Sequence, residues 1–560
     1  MTPLRSARRR PSGATAPLTA DTCPLLASEV VFEKAGEGEA WIALVHGVPS
    51  SRVSRTVVEL LTAMDGRTTL HVLHRRFAAS ESAESFLQLV GRFRDSGLLE
   101  GAAKPPSGRV SYRPPFTLQL ATLRAPALFG RLDRLIVPLP PRVLLVSTAV
   151  VLGSGCLAAI LQTEELWEVV TRPLPLSGFV VLVAVLSLTT LLHESAHGLA
   201  LTRFGGRPRR AGFMLFYLTP AFFVDVTDGW RLSDHRQRVA VALAGPAVHA
   251  LVAAIALVGA LAVPQPAVRQ TLQLLALSCA VIVLLNLIPF VRFDGYIALM
   301  SALDEPNLRG RTIRDGADSL SRLLFGGPRR SRSLPVWWSV PFGLASLIAP
   351  AVLVLFAVAR TVQALAGGGP VLGLFVVALE AVVLAAGVVL LARALRRVLR
   401  SGVSRLRFLS VCALLVAGGV AAGVLIPVPA TASYGFSVEE DGVVLVRADG
   451  EGPAAVPDGA RVVLLSRGIL ANEELGKGRT RHRRAERTTI PLDALFPVRA
   501  DDLSVPAVIV AGVDVSEGRE MLPPTGLARV DIGVKNLWQT LWAVGVVAPL
   551  SPLRSAERKG

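Results

Sequence analysis

Apolar residues fall along this chain in three arrangements, and each predicts a different kind of element. The first is long unbroken apolar runs at 143–161, 176–201, 239–262, 271–290, 335–359, 371–392 and 407–426. Each is close to the roughly 20 residues a membrane helix needs, so the pattern predicts about seven spans. The second is apolar residues at helical spacing. In "RTVVELLTAMDG", Val57, Leu60, Leu61 and Met64 share one helix face before an Asp65-Gly66 turn, and similar patterns cover 69–77 and 83–95. Two β-rich runs in "SEVVFEKAGEGEAWIALVHG" precede them. The expected order is strand–strand–helix–helix–helix, a winged-helix-like domain over 24–102, after a disordered basic stretch 1–23 and before a linker 103–138. The third arrangement follows residue 427, where short β-like runs ("GVVLVRAD", "RVVLLS", "PAVIVAGVDV") alternate with Gly/Pro/Asp turns. The tail "NLWQTLWAVGVVAPLSPL" has two Trp and reads as an interfacial segment rather than an eighth span. No internal repeat is evident.

Composition agrees with the membrane class: of 560 residues, 51% are hydrophobic, and the mean hydropathy is +0.51. The formal net charge of +17 comes mostly from Arg. Such a balance can signal nucleic acid. Here, however, the Arg residues flank the apolar runs, at 124–142, 203–238, 292–332 and 393–407, while loops 162–173, 263–270 and 360–370 are nearly free of them. That alternation predicts a cytoplasmic N-terminus and an extracytoplasmic region after 427 in a multi-pass cell-membrane protein. No nucleic-acid partner is expected. The basic N-terminus carries no apolar core of a secretory signal. Cys23, Cys156, Cys279 and Cys412 are scattered, with no CxxC pair, so neither a disulfide framework nor a cysteine zinc site is indicated. The expected class is a polytopic α-helical membrane protein with a winged-helix-like cytoplasmic domain and a β-rich extracytoplasmic region.

Inside the second apolar run lies "LSLTTLLHESAHGLALTRFGG", which sets His193, Glu194 and His197 where lipid is expected. Ionisable groups at membrane depth are costly, so three within five residues need a joint reason. On a helix, residues four apart share a face. His193 and His197 can therefore bind one metal while Glu194 stands beside it to take a proton from an attacking water. Two neutral imidazoles and an open position suit one catalytic Zn2+. The competing reading, a buried His pair satisfied by backbone, is weak in a chain with only eight His. Catalytic zinc usually takes three protein ligands. The best third is Asp294 in "VLLNLIPFVRFDGY", where Pro289 interrupts an apolar run and Gly295 permits a sharp turn beside the acid. Asp225 and Asp228 in "FFVDVTDGW" are rivals, though loop acids commonly just cap or turn. Both motifs fall at cytoplasmic ends of their spans. His197, six residues before Arg203, would lie roughly 9 Å inside at 1.5 Å per residue.

HESAH at 193–197 and "NLIPFVRFDGY" at 286–296 resemble the paired motifs of the site-2 protease family of intramembrane zinc metalloproteases, over roughly residues 110–330. The resemblance implies His193, His197 and Asp294 as zinc ligands and Glu194 as general base, with Asn286 and Gly295 as auxiliary positions. "LAGPAVHAL" is similar to the family's Gly-Pro helix, with His249 where an Asn is expected. His249 is either a group acting on the substrate carbonyl or a structural histidine. "GGRPRRAGFMLFYLTPAFFVDVTDGWRLSDHRQRVAVALAGP" and "FDGYIALMSALDEPNLRGR" are similar to a narrower branch of peptide zinc metalloproteases, those found with ribosomally made, modified peptides, as in daptide-type pathways. Residues 24–100 resemble domains that hold a precursor's leader peptide. DNA, the other common winged-helix ligand, lacks a clear basic recognition helix here.

The expected activity is peptide-bond hydrolysis by a zinc metalloendopeptidase: leader removal or maturation of such a precursor, bound by residues 24–100 on "EVVFEK" or "AWIALV". An apolar run, "AGFMLFYLTPAFFVDV" (211–226), reads either as a strand edge for an extended substrate or as a packed hairpin. Alternatives are an export or immunity protein with a protease-like core, which has no need of all four site groups, and a regulatory intramembrane protease, whose usual inserted peptide-binding domain is not seen. Glu380, alone in its apolar run, fits transport or a helix contact.

Overall fold

The computed structural model describes residues 18–34, 40–45, 48–100, 110–113, 117–122, 124–135, 140–216, 219–305, 307–327, 331–365, 370–448, 456–500 and 502–550. Two compact units emerge: Met1–Pro140, Thr190–Val248 and Ile297–Asp304 in one, and Pro141–Thr189, His249–Tyr296 and Glu305–Gly560 in the other.

The first unit opens with three antiparallel strands, Val30–Lys34, Ala40–Val45 and Val48–Ser54, followed by helices Arg55–Thr62, Leu70–Phe77 and Ala83–Asp95. The helices begin where Ser54 and Ser82 accept backbone amides as N-caps. Leu60, Leu61, Met64, Leu70, Leu73, Phe86 and Val90 pack with Ala43 and Val45 into one core. At the turn after Met64, the Asp65 carboxylate accepts the amides of Arg67 and Thr68 at 2.8 Å, which lowers its pKa, and Gly66 takes φ +75°. Three expectations change here. The third strand, "VPSSRVS", is too polar to be read as one. "AWIALV" is the middle strand, paired on both sides, so it offers no edge. Residues 18–23 are also no free tail: Thr22 and Ala20 carbonyls accept the amides of Leu70 and His71. Residues 1–17 lie outside the described part.

The expected linker 103–138 instead holds strands Val110–Arg113 and Thr117–Thr122 and helix Ala125–Leu135. Val110–Arg113 pairs with Thr117–Thr122, which pairs with Ala211–Phe216, which in turn pairs with Thr219–Val224. The run 211–226 is therefore a hairpin in a four-stranded sheet, with Thr219–Val224 as its outer strand.

Among the described residues, seven helices are long and apolar enough to cross a membrane: Arg142–Leu161, Leu176–Arg203, His235–Ala262, Pro266–Asn286, Ser339–Val362, Val371–Arg400 and Arg405–Leu425. The last three bury few side chains and leave aliphatics such as Leu355, Leu384, Leu391, Leu414 and Val416 exposed. In the second unit, Leu182, Ala253, Ala256, Leu274, Leu275 and Cys279 share a core with Val169 and Leu174. Helix Leu308–Phe325, amphipathic rather than apolar, is anchored by Asp315, whose carboxylate accepts the amides of Ser333 and Leu334 and the Ser339 hydroxyl.

After Leu425 the chain forms a β-barrel. Strand Gly442–Ala448 pairs with Pro427–Glu439 on one side and Ser504–Glu517 on the other. The ring continues through Glu474–Arg481, Arg461–Leu465 and Thr525–Asn536 back to Pro427–Glu439. Val443 and Leu445 fill the interior with Phe436 and Leu464, while Val444 and Val446 face the other way under Ile490 and Ala494. Burial on both faces explains why this strand reads as an unbroken apolar run. Arg467 is half-buried, bonding the carbonyls of Leu495 (2.8 Å) and Gly526 (3.3 Å), and desolvation lowers its pKa to about 10. The barrel is tied to the last turn of helix Thr163–Thr171 and the segment after it: Ala471 donates to the Val170 carbonyl, Leu174 donates to that of Pro497, and Val498 pairs with Leu174. The tail forms helix Leu537–Trp542, whose Trp538 donates to the Val420 carbonyl at 3.3 Å. Glu380 lies against Gly545 of the same tail, as a helix contact.

Candidate metal centre

HESAH lies in the C-terminal half of helix Leu176–Arg203, and the spacing of four sets both imidazoles on one face. His193 and His197 are buried, with Nε2 atoms 3.3 Å apart and rings nearly perpendicular at 83°. His197 Nδ1 is 2.7 Å from the Val241 carbonyl. A carbonyl only accepts, so this nitrogen carries the proton and, in the neutral ring, Nε2 keeps its lone pair. Orientation of a ligand's far nitrogen by backbone is the usual second support of a metal-binding histidine.

Asp294 begins helix Asp294–Ala302. One donor atom each from His193, His197 and Asp294 lies within 4.8 Å of the others. The preceding helix ends at Asn286, and seven residues, 287–293, fold back before Asp294. Gly295 serves this differently from the expected turn. Its place is the second residue of the helix, and a Cβ there would lie 2.6 Å from Leu287 Cα. Its missing side chain admits the crossing backbone. At its far end the same helix is held by Arg238, which donates to the Leu232 carbonyl at 2.7 Å and pairs with Asp304. Asn286 is half-buried at the end of its helix.

Glu194 is partly exposed, with Oε1 4.0 Å from His193 Nε2. Its Oε2 accepts the Val224 amide at 3.2 Å, so the hairpin's outer strand ends at this carboxylate. Helix His235–Ala262 closes the group through Gly245: a Cβ there would fall 2.6 Å from His193 Nε2 and closer still to His197 Nε2. Gly245 thus packs its backbone directly against both donor nitrogens, where any side chain would collide with them. Three ligand atoms of N, N and O type this close together fit a zinc ion. His249, one turn further along this helix, is buried.

The rival acids have other work. Asp225 accepts the amide and hydroxyl of Thr227 as a turn. Asp228, buried, binds Arg207, Arg209 and Arg231. Sequence reasoning missed Gly245, Val224 and Val241. The Gly-Pro pair was a signal for the first, while the backbone groups of the other two leave none. Comparisons with protein-family models, curated proteins and solved structures found no match for this chain.

Proposed function

We propose that this chain is an intramembrane zinc metalloendopeptidase of the site-2 protease kind, maturing a ribosomally made, modified peptide. The observation that carries it is the convergence of His193, His197 and Asp294 donors, with the imidazoles packed on Gly245 and Glu194 alongside. Zinc held there would supply Lewis acidity toward the scissile carbonyl. Glu194 takes a proton from the attacking water and returns it to the leaving amine.

A peptide must be extended to expose its carbonyls. In the hairpin, Asp225 pairs inward with Arg210 while the Val224 amide points outward to Glu194. Alternation then sets the amide and carbonyl of Phe222 on the open edge, available to a substrate strand. Pro220 has no amide to leave bare there.

The seven apolar helices, with aliphatic surfaces that water would oppose, are covered by a bilayer. Their Arg-rich connections lie in the cytoplasm, with the site, and the barrel lies outside. Residues 24–100, three strands followed by three helices, act as the winged-helix-like domain that holds the leader on the edge of Val30–Lys34. The decisive experiment purifies wild type and Glu194→Gln in nanodiscs with a candidate precursor. About one zinc in each, with cleavage only by wild type, is the expected result. Processing by Glu194→Gln at the normal rate would remove the general-base role. Export loss without any proteolysis would favour the transport reading.

A further inference from the structure

Asp228 is buried to 1% exposure and has no part in the chemistry above. Its carboxylate accepts the Arg207 amide at 2.9 Å, faces Arg209 Nη2 at 3.5 Å and accepts from Arg231 Nη1 at 3.4 Å. Arg231 turns its other amino group, Nη2, to Glu33 on strand Val30–Lys34. In that sheet Glu33 stands opposite Ile42 and Val31 opposite Leu44, so the four share one face. Ile42 and Leu44 are buried as a pair separate from the helical core on the opposite face. The turn Thr227–Arg231 packs against strand Val48–Ser54 of the same sheet. The N-terminal sheet is therefore seated on the turn by its outer face, with Arg231 at the join. From Asp228 the connection continues through residues 207–210 into the hairpin Ala211–Val224, whose last amide meets Glu194.

We propose that Arg231 is a positioning residue for precursor processing: it fixes the peptide-holding sheet in one register over the hairpin beside Glu194. This rests on the protease reading. An exposed ion pair contributes little by itself. Arg231, however, is already held by a buried carboxylate that requires a cation, so its second amino group is set in place before Glu33 arrives. A guanidinium can bridge two carboxylates with a rigid fork, which a lysine ammonium cannot reproduce. A seated domain also differs from a tethered one. A flexible linker spreads a bound leader over many positions, whereas a fixed register concentrates it at the cleavage strand.

The test uses the full chain in nanodiscs as wild type, Arg231→Lys, Glu33→Ala and the double variant. Lysine keeps a cation beside Asp228, so the fold is retained while the fork is lost. Arg231→Lys should raise KM for a full-length precursor about tenfold, leave kcat and zinc content unchanged, and cleave a leaderless peptide at the wild-type rate. Amide exchange should quicken in 30–34 and 227–231. Glu33→Ala should raise KM similarly, and the double variant should be no worse than either single, because both remove one bridge. A wild-type KM and exchange rate in Arg231→Lys would overturn the proposal, as would effects that multiply in the double variant. A wild type that cleaves neither peptide would defeat the protease reading instead, and the exchange measurements would still decide the seating.

Discussion

Replacing Gly245 with alanine adds a single methyl group, and the structure says where it goes. The new carbon would lie 2.6 Å from His193 Nε2 and 2.7 Å from His193 Cδ2, with His197 Nε2 nearer still. Non-bonded carbon contacts are comfortable at about 3.5 Å, so relief requires a movement approaching 1 Å. Metal–ligand distances tolerate only about 0.2 Å. The methyl group therefore pushes the imidazoles off their geometry, and zinc affinity should fall at least as far as the 10- to 100-fold seen when outer support of a ligand is lost. The helix itself should not suffer, since alanine is favoured over glycine in helix interiors by about 1 kcal/mol. The assay is zinc content by elemental analysis after dialysis against a graded chelator, beside thermal unfolding of the metal-stripped protein. Loss of zinc with unchanged or improved apo-protein stability is expected. Stoichiometric, tightly held zinc in Gly245→Ala would refute the assignment of the His193–His197 pair, as packed against Gly245, to the metal site.

Two further outcomes follow from other regions. Asp315 has a lowered pKa: burial alone would raise it, but the Ser339 hydroxyl and the amides of Ser333 and Leu334 outweigh that. A depressed folded-state pKa stabilises the fold above the unfolded value of about 3.9 and is lost as pH falls through the folded one. The 331–339 connection should therefore hold at pH 5 and loosen below pH ~4 in proteolysis assays. Asp315→Ala should loosen it at pH 7, at a cost of about 2–3 kcal/mol for the stranded donors. Reporter fusions should place residue 100 in the cytoplasm and residue 440 outside; a cytoplasmic signal at 440 would overturn the orientation.

What the sequence determined by itself was local. Unbroken apolar runs marked seven long helices because a helix satisfies its own backbone within the segment, and the runs matched the structure to within a few residues at most ends. The helices Leu70–Phe77 and Ala83–Asp95 were equally legible, since one buried face repeats every three to four residues. HESAH placed His193 and His197 on one face for the same reason. Tertiary structure decided everything that depends on distant pairing. Strands 427–439, 474–481 and 525–536 carry Gly, Thr and charged residues, and only closure of the barrel makes them strands. Strand 48–54 was unreadable because it is polar and becomes a strand only by pairing with Ala40–Val45, and Thr117–Thr122 because its partner Ala211–Phe216 lies far along the chain. At the site, sequence named the donors, but only folding brought Asp294 to within 4.8 Å of histidines about a hundred residues earlier. It also set Val241's carbonyl on His197 and packed Gly245 against both imidazoles. Backbone groups are the same at every residue, so their use in a site leaves no trace in the order of side chains.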